Sequence, residues 1–178
     1  DNRPADLFAT RALLQRPAAA PNLQAEAAAF GELSKLLADD PHAALRRFPE
    51  VALHLCNAGS AGLSLLRSNA AGQAVVHWQA VSGALASRQG IDTPRNFSPC
   101  GLCLDAGATI LLSRPERVFT YLRWPQPLIE DLIEPLQDGN GRPLGTFWIA
   151  HHDFKICFSA NDARIMEQLA IYLVVALK

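Results

Sequence analysis

Two stretches near the start of the chain repeat their apolar residues at the three- and four-residue spacing of an α-helix. From Asn22, a residue type that favours helix N-caps, this spacing continues as far as Asp39. A second stretch begins at Pro41 and ends at Gly59. It contains Pro49, which lacks a backbone donor and is expected to break or kink a helix. The pattern therefore predicts two helices before the first strand.

The first 21 residues are rich in alanine and proline and stand apart from this pattern. Their leucines suit a short helix that Pro17 and Pro21 would stop. We expect residues 1–21 to form an arm that docks on a domain of residues 22–178.

After Gly59 the apolar residues alternate with polar ones or form short continuous runs, as in β-strands. Turn residues at 69–72 and 138–141 lie between such runs and predict two hairpins. The predicted strands are residues 61–67, 73–81, 109–112, 129–137 and 143–152. Residues 114–124 are expected to form a short helix, because proline is tolerated in a first helical turn.

Residues 82–106 contain several glycines and prolines and little periodicity. They are predicted to form a long loop, and loops of this length are often functional. The final segment begins with Ser159 and Asp162, spaced as in a capping box, and places Leu169, Leu173 and other apolar residues on one helical face. This order of elements predicts an α+β domain with a largely antiparallel sheet.

Composition and charge fit one globular domain and exclude several partners. Of the 178 residues, 49% are hydrophobic and 19% are charged, enough for a sizeable core. The formal net charge is −1 with scattered basic residues, which argues against nucleic acid and against an anionic membrane surface. Neither a signal peptide nor a membrane-spanning run is indicated. We expect a cytoplasmic protein with reduced cysteines, excised from a longer chain.

Four stretches resemble segments of GAF domains in bacterial sensor proteins of the sensor histidine kinase type. They are residues 56–66, 93–101, 115–119 and 145–153. The similarity extends over roughly residues 22–178. It implies a five- to six-stranded antiparallel sheet with the N- and C-terminal helices on one face. On the other face, a long loop and a short helix would roof a small-molecule pocket.

The resemblance also implies how such a domain works. It would dimerise through its terminal helices and pass a signal to an output domain, such as a histidine kinase, in the parent chain. The Asn-Lys-x-Phe-Asp-Glu signature of cyclic-nucleotide-binding GAF domains is absent, as is the Cys-His pair by which phytochrome-like GAF domains attach a bilin. We therefore expect a non-catalytic sensory or regulatory domain whose ligand and cofactor the sequence does not identify.

Aromatic and polar side chains from separate segments would surround the pocket, since small-molecule sites combine apolar area with a few hydrogen-bonding groups. The candidate ligand-binding residues are Trp78, Phe97, Ser98, Cys100, Cys103, Arg117, Phe119, Tyr121 and Trp148. An equally good interpretation is that these aromatic residues simply fill the core. The domain would then only dimerise.

Cys100 and Cys103 support an alternative function, a thiol-based redox module or enzyme. Their two-residue gap occurs in redox dithiols and in half of a zinc site. Their spacing does not match the cysteine pattern of GAF-type methionine sulfoxide reductases. A zinc site would need two more ligands, for which Cys157, His151 and His152 are candidates, but no second pair has suitable spacing. We expect no metal, and the simplest interpretation is two buried thiols.

Other side chains do not indicate catalysis. No serine, histidine and carboxylate set has a recognisable nucleophile turn, and the glycines at 139–141 lie in a hairpin turn rather than in a phosphate-binding loop. The remaining carboxylates are expected to cap helices or face water. They are Asp105, Glu116, Glu130, Asp131 and Glu134.

Overall fold

The computed structural model describes residues 4–177. Its helices are α1 (Ala12–Gln15), α2 (Leu23–Asp39), α3 (Pro41–Leu55), α4 (Pro99–Ala106) and α5 (Ala160–Ala176). Its strands are β1 (Ser60–Ser68), β2 (Ala74–Gly83), β3 (Asp92–Pro94), β4 (Ile110–Ser113), β5 (Glu130–Gln137) and β6 (Pro143–His151). Residues 1–3 of the predicted arm and Lys178 of the predicted last helix lie outside the described residues.

The strands form one antiparallel sheet in the order β3-β2-β1-β6-β5-β4. β1 with β2 and β5 with β6 are the two predicted hairpins, and β1 pairs with β6 at the centre. The expected α+β class with a five- to six-stranded antiparallel sheet is confirmed.

The long helices cover one face: α3 and α5 pack on the sheet, and α2 packs on α3. Asn22 and Asp40 cap α2 and α3, and each accepts a hydrogen bond of 3.0 Å from a backbone N–H three residues on. α3 continues through Pro49, so of the predicted break or kink the break does not occur. Its buried apolar face offsets the one missing hydrogen bond. In the described part of the chain, no helix combines the length and apolar character needed to cross a membrane.

The other face is covered by α4 and by two 3-10 turns. The prediction of an unbroken loop at 82–106 is therefore wrong, because this segment contains β3 and α4. Ser98 caps α4 by accepting a hydrogen bond of 3.0 Å from the N–H of Gly101, and Gly107 ends it in the left-handed region. Most α4 residues are buried, so the helix lacks the one-sided periodicity by which it could have been recognised.

The helix predicted at 114–124 is also replaced by shorter structure. Residues Pro115–Arg117 and Thr120–Leu122 form separate 3-10 turns. Arg114 is left-handed at a φ of 49°, and Val118 bonds back to Pro115 with the three-residue spacing of a 3-10 turn. Tertiary packing here outweighs the local preference for a helix.

The N-terminal segment, residues 4–21, packs against the sheet. Leu7 is fully buried on the face covered by α4, and Leu13 is buried on the face of the long helices. Arg16 donates two hydrogen bonds to the carboxylate of Glu130, at 2.6 and 3.0 Å. This segment therefore contributes to both layers of the core.

Candidate ligand-binding cavity

Strand β5 carries buried carboxylates on both of its faces. Successive side chains of a strand point to opposite faces. Asp131 and Ile133 therefore lie on the face covered by α4, and Glu130 and Glu134 lie on the face of the long helices. All three acidic side chains are at least 90% buried. The expectation that they cap helices or face water is wrong for these three.

The carboxylates differ in their partners. Glu130 forms an ion pair with Arg16, and Glu134 accepts a hydrogen bond from the hydroxyl of Thr109. Oδ1 of Asp131, in contrast, is fully buried and has no hydrogen-bond partner within residues 4–177. Burial raises the pKa of Asp131 from 3.8 to about 7. This carboxyl group is therefore poised to ionise near neutral pH.

Asp131 lines an internal cavity between α4, the sheet and residues 122–128. About 20 Å³ of it is available to the centre of a water molecule, which is room for about one water. Its aromatic and polar lining residues are Trp78, Thr93, Ser98, Cys100, Asp131 and Trp148. Leucines, a proline and an alanine complete the lining, so Asp131 is its one carboxylate and no Lys, Arg or His is part of it.

Two of the chain's three tryptophans line this cavity, and the third packs against one of them. Trp78 and Trp148 form one wall, with ring centroids 4.8 Å apart. Trp124 packs edge-on against Trp78 at 5.7 Å, and Arg88 lies over Trp124 at 4.9 Å. Nε1 of Trp148 donates to Ser64 at 2.9 Å, whereas the buried Nε1 of Trp78 has no acceptor among the described residues.

Two glycines allow the cavity walls to come together. A methyl group at Gly62 would overlap the indole of Trp148, and one at Gly101 would overlap the carbonyl oxygen of Arg95. Gly62 therefore leaves space for the tryptophan wall, and Gly101 lets α4 approach the segment that precedes it.

A cluster of three rings closes the roof beside the cavity. Phe97, Phe119 and Tyr121 have ring centroids 5.0 to 6.4 Å apart. The hydroxyl of Tyr121 donates to the carbonyl oxygen of Phe97 at 2.9 Å. This bond joins the 3-10 turn Thr120–Leu122 to the residue that precedes the N-cap of α4.

Comparison with known proteins identifies the architecture. The sequence matches no protein-family model and no protein of curated function. The GAF domain of a phosphoenolpyruvate-protein phosphotransferase from Coxiella burnetii has a TM-score of 0.70 and 16% identity, and the match covers 88% of this chain and 94% of that domain. The fold is that of a GAF domain.

Two further solved structures share this GAF fold. Free methionine-R-sulfoxide reductase from Neisseria meningitidis, in complex with its substrate, has a TM-score of 0.65 and 17% identity over 90% of this chain and 93% of that one. The phycoerythrobilin-bound GAF domain of a cyanobacterial phytochrome has a TM-score of 0.65 and 13% identity, and the match covers 85% of this chain and 94% of that one. At such low identity the likeness shows the fold, and function must be argued from the site.

Four of the nine residues predicted to bind a ligand in the GAF pocket line the cavity: Trp78, Ser98, Cys100 and Trp148. The structure does not place the other five in the lining. Phe97, Phe119 and Tyr121 form the ring cluster of the roof, Cys103 is buried in the same core, and Arg117 pairs with Asp6 near the surface.

The two cysteines of α4 lie three residues apart and are buried. Burial raises the pKa of Cys100 to about 12, and burial together with the charge of Cys100 raises that of Cys103. The thiol of Cys103 donates to the carbonyl oxygen of Ile133 at 3.5 Å. Cys157 is exposed and His151 stacks on Phe158. Within residues 4–177, no group of three or more His, Cys, Asp and Glu side chains is arranged to hold a metal ion.

Asp131 is the site residue that sequence reasoning missed. It lies two positions from Ile133 in a segment correctly predicted as a strand, and this spacing would have placed an acid on an apolar face. The neighbouring acids Glu130 and Glu134 obscure that signal, because the strand carries charge on both faces.

Proposed function

We propose that this chain is a sensory or regulatory GAF domain that binds a small molecule in the cavity under α4. The observation that carries this proposal is that Asp131 lines that cavity and that its Oδ1 is buried without a hydrogen-bond partner among the described residues. A buried carboxylate without a partner lowers the stability of the fold, and such groups cluster at functional sites. Two proteins of the same fold, the reductase and the phytochrome domain, were solved with a bound molecule.

Strand β5 supplies a route from the cavity to the long helices. Glu130, next to Asp131 but on the opposite face, accepts a hydrogen bond of 2.9 Å from the N–H of Phe158. Phe158 immediately precedes Ser159, the N-cap of α5. We therefore expect a ligand contact that moves Asp131 to move the start of α5 as well. Such a displacement relays binding if the ligand favours one of two arrangements of the strand.

We further propose a homodimer through α2 and α5, with a downstream output domain such as a histidine kinase in the parent chain. On α5, Ile171 and Val175 are 61% and 62% exposed, and Tyr172 packs against Phe30 of α2 at 5.0 Å. An exposed apolar stripe on a helix is typical of helix–helix packing. Sedimentation velocity over a wide concentration range should show a dimer, and the charged variant I171E/V175E should be a monomer. A wild-type monomer at all concentrations would contradict the dimer.

Binding is favoured over thiol catalysis by the state of the cysteines. One protein of this fold is a reductase, so the fold alone does not decide the question. A thiolate is the reactive form of cysteine, and burial keeps Cys100 and Cys103 protonated at neutral pH.

Native mass spectrometry tests the cavity as a binding site. The protein is incubated with a bacterial small-molecule extract, desalted, and its native and denatured masses are compared. We expect the wild type to carry a small molecule and Ala150→Val to lose it, because two added methyl groups fill a cavity of about one water molecule. Ala163→Val, on the helical face, is the matched control and should retain the molecule. No bound molecule on the wild type, or equal binding by A150V, would overturn the proposal.

A further inference from the structure

We infer that the ligand is a compact organic cation, whose ammonium group pairs with the carboxylate of Asp131 against the wall formed by Trp78 and Trp148. This inference rests on the proposed function and names the chemical class of the ligand. It follows from the charge of the lining residues, the unpartnered Oδ1 of Asp131 and the size of the cavity.

The charge of the lining residues disfavours an anionic ligand. Asp131 is the one carboxylate among the lining residues, and the lining contains no Lys, Arg or His. A carboxylate or phosphate ligand would leave its own charge buried without a partner beside a second negative charge, which is strongly unfavourable. A cation instead neutralises the buried carboxylate.

Hydrogen bonding and the aromatic wall select for an ammonium group. The free Oδ1 of Asp131 accepts hydrogen bonds only when it is ionised or when its proton lies on the other oxygen, and an ammonium supplies up to three donors. The faces of Trp78 and Trp148 attract cations through their ring quadrupoles, more strongly where water is excluded. The carboxylate of Asp131 and the tryptophan wall therefore both favour a positively charged ligand.

Size limits the cation to a few heavy atoms. The cavity holds about one water molecule, so a bulky quaternary ammonium would require the roof to open. Methylammonium, with only two heavy atoms, is the smallest organic ammonium ion and is therefore the probe of choice. Methanol is the neutral probe with the same number of heavy atoms, and formate, with three, is the anionic one.

No other group in the cavity is expected to change charge as Asp131 titrates near neutral pH. Cys100 and Cys103 face it from α4 and Tyr121 from the roof, and burial raises the pKa of all three, so they stay neutral. Glu134 lies on the opposite face of β5. Methylammonium binding should therefore weaken about 30-fold from about pH 8 to about pH 5.5, as the carboxylate of Asp131 is protonated.

Tryptophan fluorescence provides the measurement, because Trp78 and Trp148 line the cavity and Trp124 packs against Trp78. Methylammonium chloride is titrated into wild type, Asp131→Asn and Glu134→Gln at constant ionic strength, with sodium chloride as the salt blank. Glu134 is the matched control: it is also buried, with a pKa raised to about 7 by burial, yet it points away from the cavity. We expect a saturable change in wild type and E134Q that is at least 10-fold weaker in D131N. Far-UV circular dichroism checks that each variant is folded.

The outcomes separate this inference from the proposed function. Equal binding of methylammonium by D131N and wild type, or preferred binding of methanol or formate, overturns the cationic ligand. If the wild type carries a molecule that depends on Ala150 but methylammonium does not compete for the site, the cationic class is wrong and the sensory function stands. If no molecule depends on Ala150 and no probe binds, both are wrong.

Discussion

Replacing Asp131 with Asn should stabilise the protein at alkaline pH, because the wild-type carboxylate is buried without a partner. In the folded protein this carboxyl keeps its proton up to about pH 7, whereas the unfolded chain releases it near pH 3.8. As pH rises through this window, the unfolded state binds fewer protons than the folded state, so stability falls. Each pKa unit corresponds to about 1.4 kcal/mol, so ionised Asp131 lowers the free energy of unfolding by about 4 kcal/mol above pH 7. Asparagine does not ionise.

Urea unfolding at a series of pH values, followed by tryptophan fluorescence, measures this effect. The stability of D131N relative to wild type should increase by about 2.5 kcal/mol between about pH 5 and about pH 8. Asp138→Asn is the control, because the backbone N–H groups of Arg142 and Asn140 lower the pKa of this partly exposed carboxyl. Its titration window lies below pH 5, so its stability difference should stay constant over the same range. A constant difference for D131N as well would refute the reasoning and show that the carboxylate has a partner in solution.

Two substitutions and one labelling experiment test other parts of the structure. Gly62→Ala should lower the free energy of unfolding by about 1–3 kcal/mol and shift the fluorescence spectrum, because the added methyl displaces Trp148; an unchanged spectrum would contradict the close packing. Arg16→Ala should lower the free energy of unfolding by about 2 kcal/mol in urea at neutral pH, since Glu130 stays buried and loses its cation. An unchanged free energy of unfolding would mean that water replaces the guanidinium. Cys100 should react with a thiol reagent far more slowly in the native protein than in urea, as judged from labelled peptides, and comparable rates would restore the redox alternative.

Much of the fold could be predicted because its long helices and its strands have different patterns of apolar residues. The long helices each bury one apolar stripe, α3 and α5 against the sheet and α2 against α3, and the predicted strands have apolar residues on both faces or in alternation. Helix α4 escaped prediction for the opposite reason. Its residues are buried on most sides, and its Pro99 and Gly101 are typical of a loop when read without tertiary contacts.

The candidate site could be predicted only in part. Aromatic type and family resemblance were enough to select Trp78 and Trp148, because large rings must be buried somewhere. The role of Asp131 depends on the absence of a hydrogen-bond partner for its Oδ1 among the described residues, which the sequence does not show. Glu130, one residue away, pairs with Arg16, which lies 114 positions earlier in the chain. Nothing local distinguishes the paired acid from the unpaired one.

A fragment trimmed to residues 22–177 would keep every strand of the sheet and helices α2 to α5. It would nevertheless lack Leu7 and Leu13, one leucine from the core on each side of the sheet, and the guanidinium that neutralises Glu130. Newly exposed apolar surface and a buried charge without a partner favour aggregation and poor expression. The recognisable GAF-like pattern begins at Asn22, but a fragment for crystallisation or binding studies should begin before Leu7.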